Sequence, residues 1–254
     1  MAVDEALTEA VDNRATPPVL RLYRWRPSCL SLGASQPFTV ADSAFCAGHG
    51  IDLVRRPTGG RAVLHHLELT YLVAVRLGKP FGFELQAVYA AICWALVVGL
   101  RSLGVPAELA ERSPAGTIRP TDSVPCFIGP AAGEVVVGGR KLIGSAMRRI
   151  GDTVLQHGSI LEDWDSELQA GCLGLHEDRG FRSGVVTLSD LTGTMPAEEV
   201  LVGALLAGFR ESLGVIAKRS ALTDEERSRA HFLLHERYGH ERWTVHRDRF
   251  LPVC

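Results

Sequence analysis

The segment 134–148 constrains the fold of this chain more than any other. Residues 134–137 are rich in valine, and Gly138-Gly139 follows them directly. Two adjacent glycines accept the positive φ angles that a tight two-residue hairpin turn needs. We therefore predict a β-hairpin in which 140–148 is the returning strand.

The rest of the chain mixes strand and helix patterns. Alternating apolar and polar residues predict strands, and apolar residues at helical spacing predict helices. The strand candidates are 19–24, 29–34, 52–56, 61–66, 68–77 and 155–161, and the helix candidates are 2–13, 40–48, 84–103, 196–213 and 223–238. Hairpins with helices between them predict an α/β fold of the α+β type. We expect one domain over 1–254, with a helical C-terminal segment at about 196–240.

Composition excludes several classes of protein. The net charge of −2 over 254 residues lacks the basic excess of a nucleic-acid binder. The six cysteines form no CxxC pair, so we expect no metal site and a reduced, cytoplasmic protein. The longest apolar run, 87–100, is shorter than the roughly 20 residues of a membrane span. We therefore expect a buried helix there and no membrane contact.

The segment 55–63 has the sequence RRPTGGRAV. Its two glycines follow a predicted strand and allow close approach of the backbone to a ligand. The flanking arginines are suited to a carboxylate or phosphate. The segment is neither a P-loop nor a GxGxxG motif. A glycine-rich turn with solvated arginines explains the same residues.

Three further residues are candidates for chemistry. Lys141 on the hairpin is either a partly buried acid, base or anion clamp, or an edge-strand lysine that reaches solvent. His157 either lines a cleft or is a hydrogen-bonded structural histidine. Cys126 follows a polar loop, and a nearby ammonium would lower its pKa and raise its thiolate fraction. A buried, unreactive thiol is the alternative for Cys126.

Four blocks together resemble the biotin/lipoate protein ligase and octanoyltransferase superfamily. They are 55–65 (RRPTGGRAVLH), 68–71 (ELTY), 139–146 (GRKLIGSA) and 156–161 (QHGSIL), and their order also matches the superfamily. The resemblance implies a central mixed β-sheet flanked by helices.

Within that superfamily the chain is most similar to the cysteine-dependent octanoyltransferases. These enzymes carry a Cys-Phe-x-x-Pro block shortly before the GRK hairpin, and here it begins at Cys126 and ends at Pro130. The ATP-using lipoate ligases lack this cysteine and usually have glycine where this chain has Arg61. The resemblance implies transfer of octanoyl from acyl carrier protein to a lysine of a lipoyl domain, such as the glycine-cleavage H protein or a 2-oxoacid dehydrogenase subunit. No cofactor is expected, and ATP enters only if the chain is a ligase.

The resemblance also implies residue roles. Cys126 would attack the carrier thioester, while Lys141 would lower the pKa of the thiol and handle protons. Backbone N–H groups of Gly144 and Ser145 are candidates for binding the oxyanion. The remaining predicted substrate-binding residues are Arg56, Thr58, Gly59, Gly60, Arg61, His65, His157 and Gly158, of which Gly59, Gly60 and Arg61 would line the acyl tunnel and contact the carrier.

Two other functions remain open at this point. An ATP-dependent lipoate or octanoate ligase has the same glycine-rich and GRK blocks. A non-catalytic module that binds lipoyl domains or an acyl ligand is the second alternative. A monomer is the default expectation for each of them.

Overall fold

The computed structural model describes residues 1–111, 131–175 and 180–248. The strands of this part are β1 Val19–Tyr23, β2 Cys29–Leu32, β3 Asp52–Arg55, β4 Val63–His65, β5 Glu68–Arg76, β6 Glu108–Leu109, β7 Val135–Val137, β8 Arg140–Ile150 and β9 Thr153–Leu161. Its α-helices are α1 Ala2–Asp12, α2 Ser43–Gly48, α3 Leu85–Ser102, α4 Ser166–Cys172, α5 Leu188–Thr192, α6 Glu198–Leu213, α7 Asp224–Leu233 and α8 Glu241–Thr244.

The strands form two sheets. The large sheet has the order β1-β5-β9-β8-β7-β6, and every neighbouring pair in it is antiparallel. The small sheet has the order β3-β2-β4, with β2 parallel to β3 and antiparallel to β4. Helices flank the large sheet, so the predicted α/β class is confirmed.

The hairpin predicted around Gly138-Gly139 is confirmed. The two glycines have φ angles of 56° and 73° and connect β7 to β8. Strand β8 runs on to Ile150, and a second turn leads into β9, which pairs with both β8 and β5. The GRKLIGSA block therefore lies on an inner strand of the large sheet.

Helices α3 and α6 cover one face of the large sheet and form its main core. Two glycines let them approach closely. A Cβ on Gly208 would lie 2.2 Å from the carbonyl oxygen of Ala95, and one on Gly99 would lie 2.7 Å from that of Ala204. Helix α3 is long and apolar enough to cross a membrane by length and composition. Its packing in this core identifies it as the buried helix that the sequence predicts.

Helix α1 covers the opposite face of the large sheet. Leu7 packs there between Leu72 of β5 and Leu155 of β9. Helix α7 packs on α1 in turn, through Ala230 and Leu233. This second layer brings the start of the chain beside the residues that form the candidate site.

Several elements differ from the sequence prediction, and two of them show why. The helix predicted over 40–48 begins only at Ser43, because Asp42 caps it by accepting a hydrogen bond from the N–H of Phe45. Helix α4 was not predicted, although Asp165 caps it in the same way through Leu168. Only seven residues long, α4 is too short for its periodicity to be recognised.

Candidate active site

A cleft lies where the small sheet meets β5, β8 and β9 of the large sheet. It brings together six of the predicted substrate-binding residues, from segments far apart in the chain: Arg56, His65, Gly144, Ser145, His157 and Gly158. Ser31, Val63, Thr70, Ala146, Ser159 and Met1 complete the lining. The cavity has a volume of about 30 Å³, which is enough to hold a water molecule.

The glycine-rich loop beside this cleft is held by Arg56. Its guanidinium donates to the backbone carbonyls of Ser31 at 3.0 Å, Gly59 at 2.8 Å and Arg61 at 2.6 Å. The planar fork of an arginine matches several acceptors at once. Arg56 therefore fixes the conformation of the loop, a role that differs from both sequence interpretations, an anion-binding arginine and a solvated one.

Glycine is required where this loop meets the small sheet. A Cβ on Gly33 would lie 1.9 Å from the carbonyl oxygen of Gly60, and Gly60 itself has a φ of 93°. Gly59 and Gly60 are exposed at the rim, and Thr58 is buried below them. Neither glycine is among the residues that line the cleft, and close approach of a ligand to this rim stays a prediction.

Arg55 points away from the cleft and is fully buried. Its guanidinium donates to the carbonyls of Gly33 and Gln36, both at 2.6 Å, and to that of Thr244 at 2.7 Å. Burial lowers the pKa of Arg55 to about 10, with smaller contributions from neighbouring arginines. The first arginine of the RRPTGG motif thus ties α8 to the base of the glycine-rich loop.

His157 lies between a hydroxyl group and a carboxylate. Thr58 Oγ1 is 2.7 Å from His157 Nε2, and Asp4 Oδ2 is 4.0 Å from Nδ1. Burial lowers the pKa of His157, and the charge of Asp4 only partly opposes this effect. The ring is therefore neutral at neutral pH, and Thr58 and Asp4 fix its orientation within the cleft.

His65 is held by a second chain of hydrogen bonds. Arg56 Nη1 donates to Ser31 Oγ at 3.2 Å, and that hydroxyl lies 2.8 Å from His65 Nε2. On the other side, His65 Nδ1 is 3.1 Å from Glu68 Oε1. Because an arginine can only donate, the Ser31 proton is left for Nε2, and the ring proton lies on Nδ1. Glu68 thus fixes the tautomer that His65 presents.

Gly158 leaves room for a tyrosine that crosses β9. A Cβ at Gly158 would lie 2.6 Å from the Tyr71 ring and 2.5 Å from the carbonyl oxygen of Gly144. The Tyr71 hydroxyl reaches Ser145 Oγ at 2.7 Å. Burial raises the pKa of Tyr71 well above its usual range, so the hydroxyl stays protonated. Gly158 therefore shapes the floor of the cleft.

Only one of the two predicted oxyanion donors can face a given edge of β8. Successive N–H groups of a strand point to opposite edges. Gly144 and Ser145 are consecutive residues of β8, which pairs with β9 at both positions. One N–H therefore points towards β9 and the other away from it, so at most one is open to an oxyanion.

Lys141 is 1% exposed, which excludes the edge-strand lysine that reaches solvent. Its Nζ lies 2.7 Å from Glu134 Oε1. The second oxygen of Glu134 accepts the backbone N–H of Ala131 at 2.8 Å. A buried ammonium needs a charged or hydrogen-bonded partner, and Glu134, which the sequence analysis did not single out, supplies one.

Cys126, the predicted nucleophile, lies outside the described residues. The four cysteines within the described ranges, Cys29, Cys46, Cys93 and Cys172, are all buried. Burial raises the pKa of Cys29 and of Cys93 to about 12. These two thiols are therefore almost wholly protonated at neutral pH and are poor nucleophiles.

Most of the chain matches a known protein family. Residues 1–210 match the profile of the lipoyl protein ligase A/B catalytic domain. The chain belongs to this family, as the four sequence blocks predicted.

Individual relatives agree with this assignment. An octanoyltransferase LipM of Kyrpidia tusciae is 40% identical over 96% of this chain and 93% of its own length. An octanoyltransferase LipM of Symbiobacterium thermophilum is 36% identical with the same coverage of both chains. A bipartite lipoate protein ligase of Thermoplasma acidophilum has a TM-score of 0.76 at 24% identity, over 99% of this chain and 92% of the other. At that identity the likeness concerns the fold.

Proposed function

We propose that the chain transfers an octanoyl group from an acyl carrier protein to the lysine of a lipoyl domain, through a thioester on Cys126. The predicted class of enzyme, an octanoyltransferase acting in lipoate biosynthesis, is confirmed by relatives that are up to 40% identical over nearly the whole chain. The carrier, the particular lipoyl domain, the thioester and the cytoplasmic location are parts of the proposal.

The observation that carries the mechanism is the buried Lys141–Glu134 ion pair. Lys141 lies on β8, three residues before Gly144 of the cleft. A lysine that is 1% exposed and paired with a carboxylate is suited to proton transfer away from bulk water. Its position in the GRK block, after the cysteine block at 126–130, matches the family pattern.

In the first step the Cys126 thiolate attacks the carbonyl carbon of the carrier thioester. A new carbon–sulfur bond forms to Cys126, and the bond to the carrier sulfur breaks. The carrier thiolate takes a proton from Lys141 Nζ and leaves as a thiol. The octanoyl group is then held as a thioester on the enzyme.

In the second step the neutral amine of the acceptor lysine attacks this thioester. The amide bond forms, Cys126 leaves as a thiolate, and Lys141 Nζ takes the proton from the new amide nitrogen. The proton that Lys141 loses in the first step returns in the second. No ATP is consumed, because the thioester already stores the energy for the amide bond.

Intact-protein mass spectrometry with octanoyl carrier protein and no ATP tests this proposal. We expect wild type to gain the mass of one octanoyl group and Cys126→Ala to gain none. Adding an unmodified lipoyl domain should discharge the adduct and octanoylate that domain. No adduct in wild type, together with an acyl-adenylate when ATP and lipoate are supplied, would replace the transferase with the ligase. Binding of the carrier without transfer would favour a non-catalytic module.

A further inference from the structure

Glu134 is the buried acid that pairs with Lys141. Both of its carboxylate oxygens are engaged, one by Lys141 Nζ at 2.7 Å and the other by the N–H of Ala131 at 2.8 Å. The residue is 4% exposed. Glu134 also closes the turn 131–134, because its N–H donates to the Ala131 carbonyl at 3.1 Å.

Ala131 is also tied to the predicted nucleophile by chain connectivity. It follows Cys126 by five residues, and five residues of extended chain span at most about 18 Å. A single carboxylate therefore joins the proposed proton carrier to a residue that follows the proposed nucleophile by five positions. The register of β7 and β8 is irregular between Val135 and Val136, which lets Lys141 pair with Val136 beside this turn.

The physical need for such a carboxylate follows from burial. An ammonium group removed from water and left without an anion is strongly disfavoured, and it gives up its proton instead. A neutral Lys141 would neither stabilise the Cys126 thiolate nor donate a proton to the departing carrier thiolate. The Glu134 carboxylate beside Nζ therefore favours the ammonium form of Lys141 in the resting enzyme.

We propose that Glu134 is a positioning residue of the transfer reaction, which keeps Lys141 in the ammonium form and holds it beside the turn that follows Cys126. This inference rests on the proposed function. Glu134 acts through Lys141 and does not need to touch either substrate.

The test is the pH dependence of Cys126 alkylation by iodoacetamide, followed by site-resolved mass spectrometry. Thiolate is the reacting form, so the midpoint of the profile reports the charge state around the thiol. In Glu134→Gln we expect the midpoint to rise by at least one pH unit. Formation of the octanoyl-enzyme at neutral pH should fall at least tenfold.

Glu5→Gln is the matched control. Glu5 is also a buried acid in an ion pair, but its partner is Arg237 of the C-terminal segment and not Lys141. We expect this variant to lose thermal stability without any change in the alkylation profile. A loss of stability in Glu134→Gln with an unmoved or lowered midpoint would show a structural role only and overturn the inference.

A double-mutant cycle tests the route through the lysine. In a Lys141→Met background, Glu134→Gln should cause no further shift, because its effect is exerted on the ammonium. The same shift in both backgrounds contradicts this route. Glu134→Asp is the second variant, in case Glu134→Gln does not fold. It retains the charge, so the midpoint of its alkylation profile should stay within about 0.3 pH units of wild type. A rise as large as that expected for Glu134→Gln would refute the charge argument.

Different results would contradict the proposed function and the role of Glu134. Absence of an octanoyl adduct in wild type removes the transferase mechanism, whatever the alkylation data show. An adduct in wild type whose formation is unaffected by Glu134→Gln removes only the role of Glu134.

Discussion

Three basic side chains of the candidate site, His65, His157 and Lys141, each lie beside a buried acid. Asp4 lies beside His157, Glu68 beside His65 and Glu134 beside Lys141. None of these acids was predicted as a site residue. Only the ELTY block pointed to Glu68, and nothing in the local sequence distinguishes Asp4 or Glu134 from a surface acid. Their roles become visible only when the fold buries them.

Arg56→Lys tests whether the guanidinium fork holds the glycine-rich loop. A lysine cannot reach the carbonyls of Ser31, Gly59 and Arg61 together, so some of these buried acceptors lose their donor. We expect unfolding in urea to show a loss of about 1–3 kcal/mol and octanoyl transfer to slow at least tenfold. Arg149→Lys, at an exposed arginine paired with Asp152, should change neither quantity. Normal transfer in Arg56→Lys would contradict this role.

The depressed pKa of His157 predicts a specific loss of stability in acid. The unfolded chain binds a proton near pH 6.5, whereas the folded protein binds it only at lower pH because the ring is buried. The unfolded state therefore holds more protons in that window, and stability falls as pH drops below about 6.5. The slope from this group is at most about 1.4 kcal/mol per pH unit. In urea titrations between pH 7.5 and 5, His157→Gln should show a shallower decline; an equal decline in both proteins would assign the slope to other groups.

At the scale of elements, most strands and the long helices followed from the sequence, while three short helices did not. Alternation and the Gly138-Gly139 turn identified the hairpin, and the apolar run predicted α3. Helices α4, α5 and α8 contain at most seven residues each, too few for a helical period to be clear. The pairing of β5 with β9 joins residues that are 77 to 93 positions apart, and it depends on packing that no local pattern encodes.

The contact of α3 with α6 depends on the absence of a side chain at Gly208. A Cβ there would lie 2.2 Å from Ala95 O and 2.5 Å from the N–H nitrogen of Gly99, so Gly208→Ala must push the helices apart. We expect a loss of at least about 2 kcal/mol in thermal or urea unfolding. Gly203 lies on the same helix with no atom near its Cβ position, and Gly203→Ala should instead add up to about 1 kcal/mol through helix propensity. Equal effects of the two substitutions would exclude close helix packing as the cause.

At the scale of the whole molecule, the C-terminal segment supports the small sheet. Trp243 is 3% exposed, and its indole N–H donates to the Arg55 carbonyl at 2.7 Å. Arg55 in turn donates to the Thr244 carbonyl and to the Gly33 carbonyl near the glycine-rich loop. Hydrogen bonds thus connect the C-terminal segment to the loop beside the cleft, although 188 positions separate Arg55 from Trp243 in the sequence.

Two substitutions at Trp243 remove the hydrogen bond with a small or a large loss of packing. Trp243→Phe loses the indole donor and part of the ring while keeping an aromatic side chain, and it should cost about 1–3 kcal/mol. Trp243→Ala also leaves a cavity and should cost about 3–5 kcal/mol, with faster hydrogen exchange in β2 and β3. The same substitution at Trp94, which is 43% exposed, should cost less than about 1 kcal/mol. Unchanged exchange in β2 and β3 would show that the segment does not support them.

Arg55 has a practical consequence for anyone who divides or recombines these proteins. The match to the family profile ends at residue 210, yet two carbonyls that receive the Arg55 guanidinium belong to residues 243 and 244. A fragment cut at residue 210 would leave the buried Arg55 guanidinium without these two acceptors. A chimera with a foreign C-terminus must bring carbonyl acceptors to the same position, so the smallest unit that can be exchanged intact is longer than the profile match.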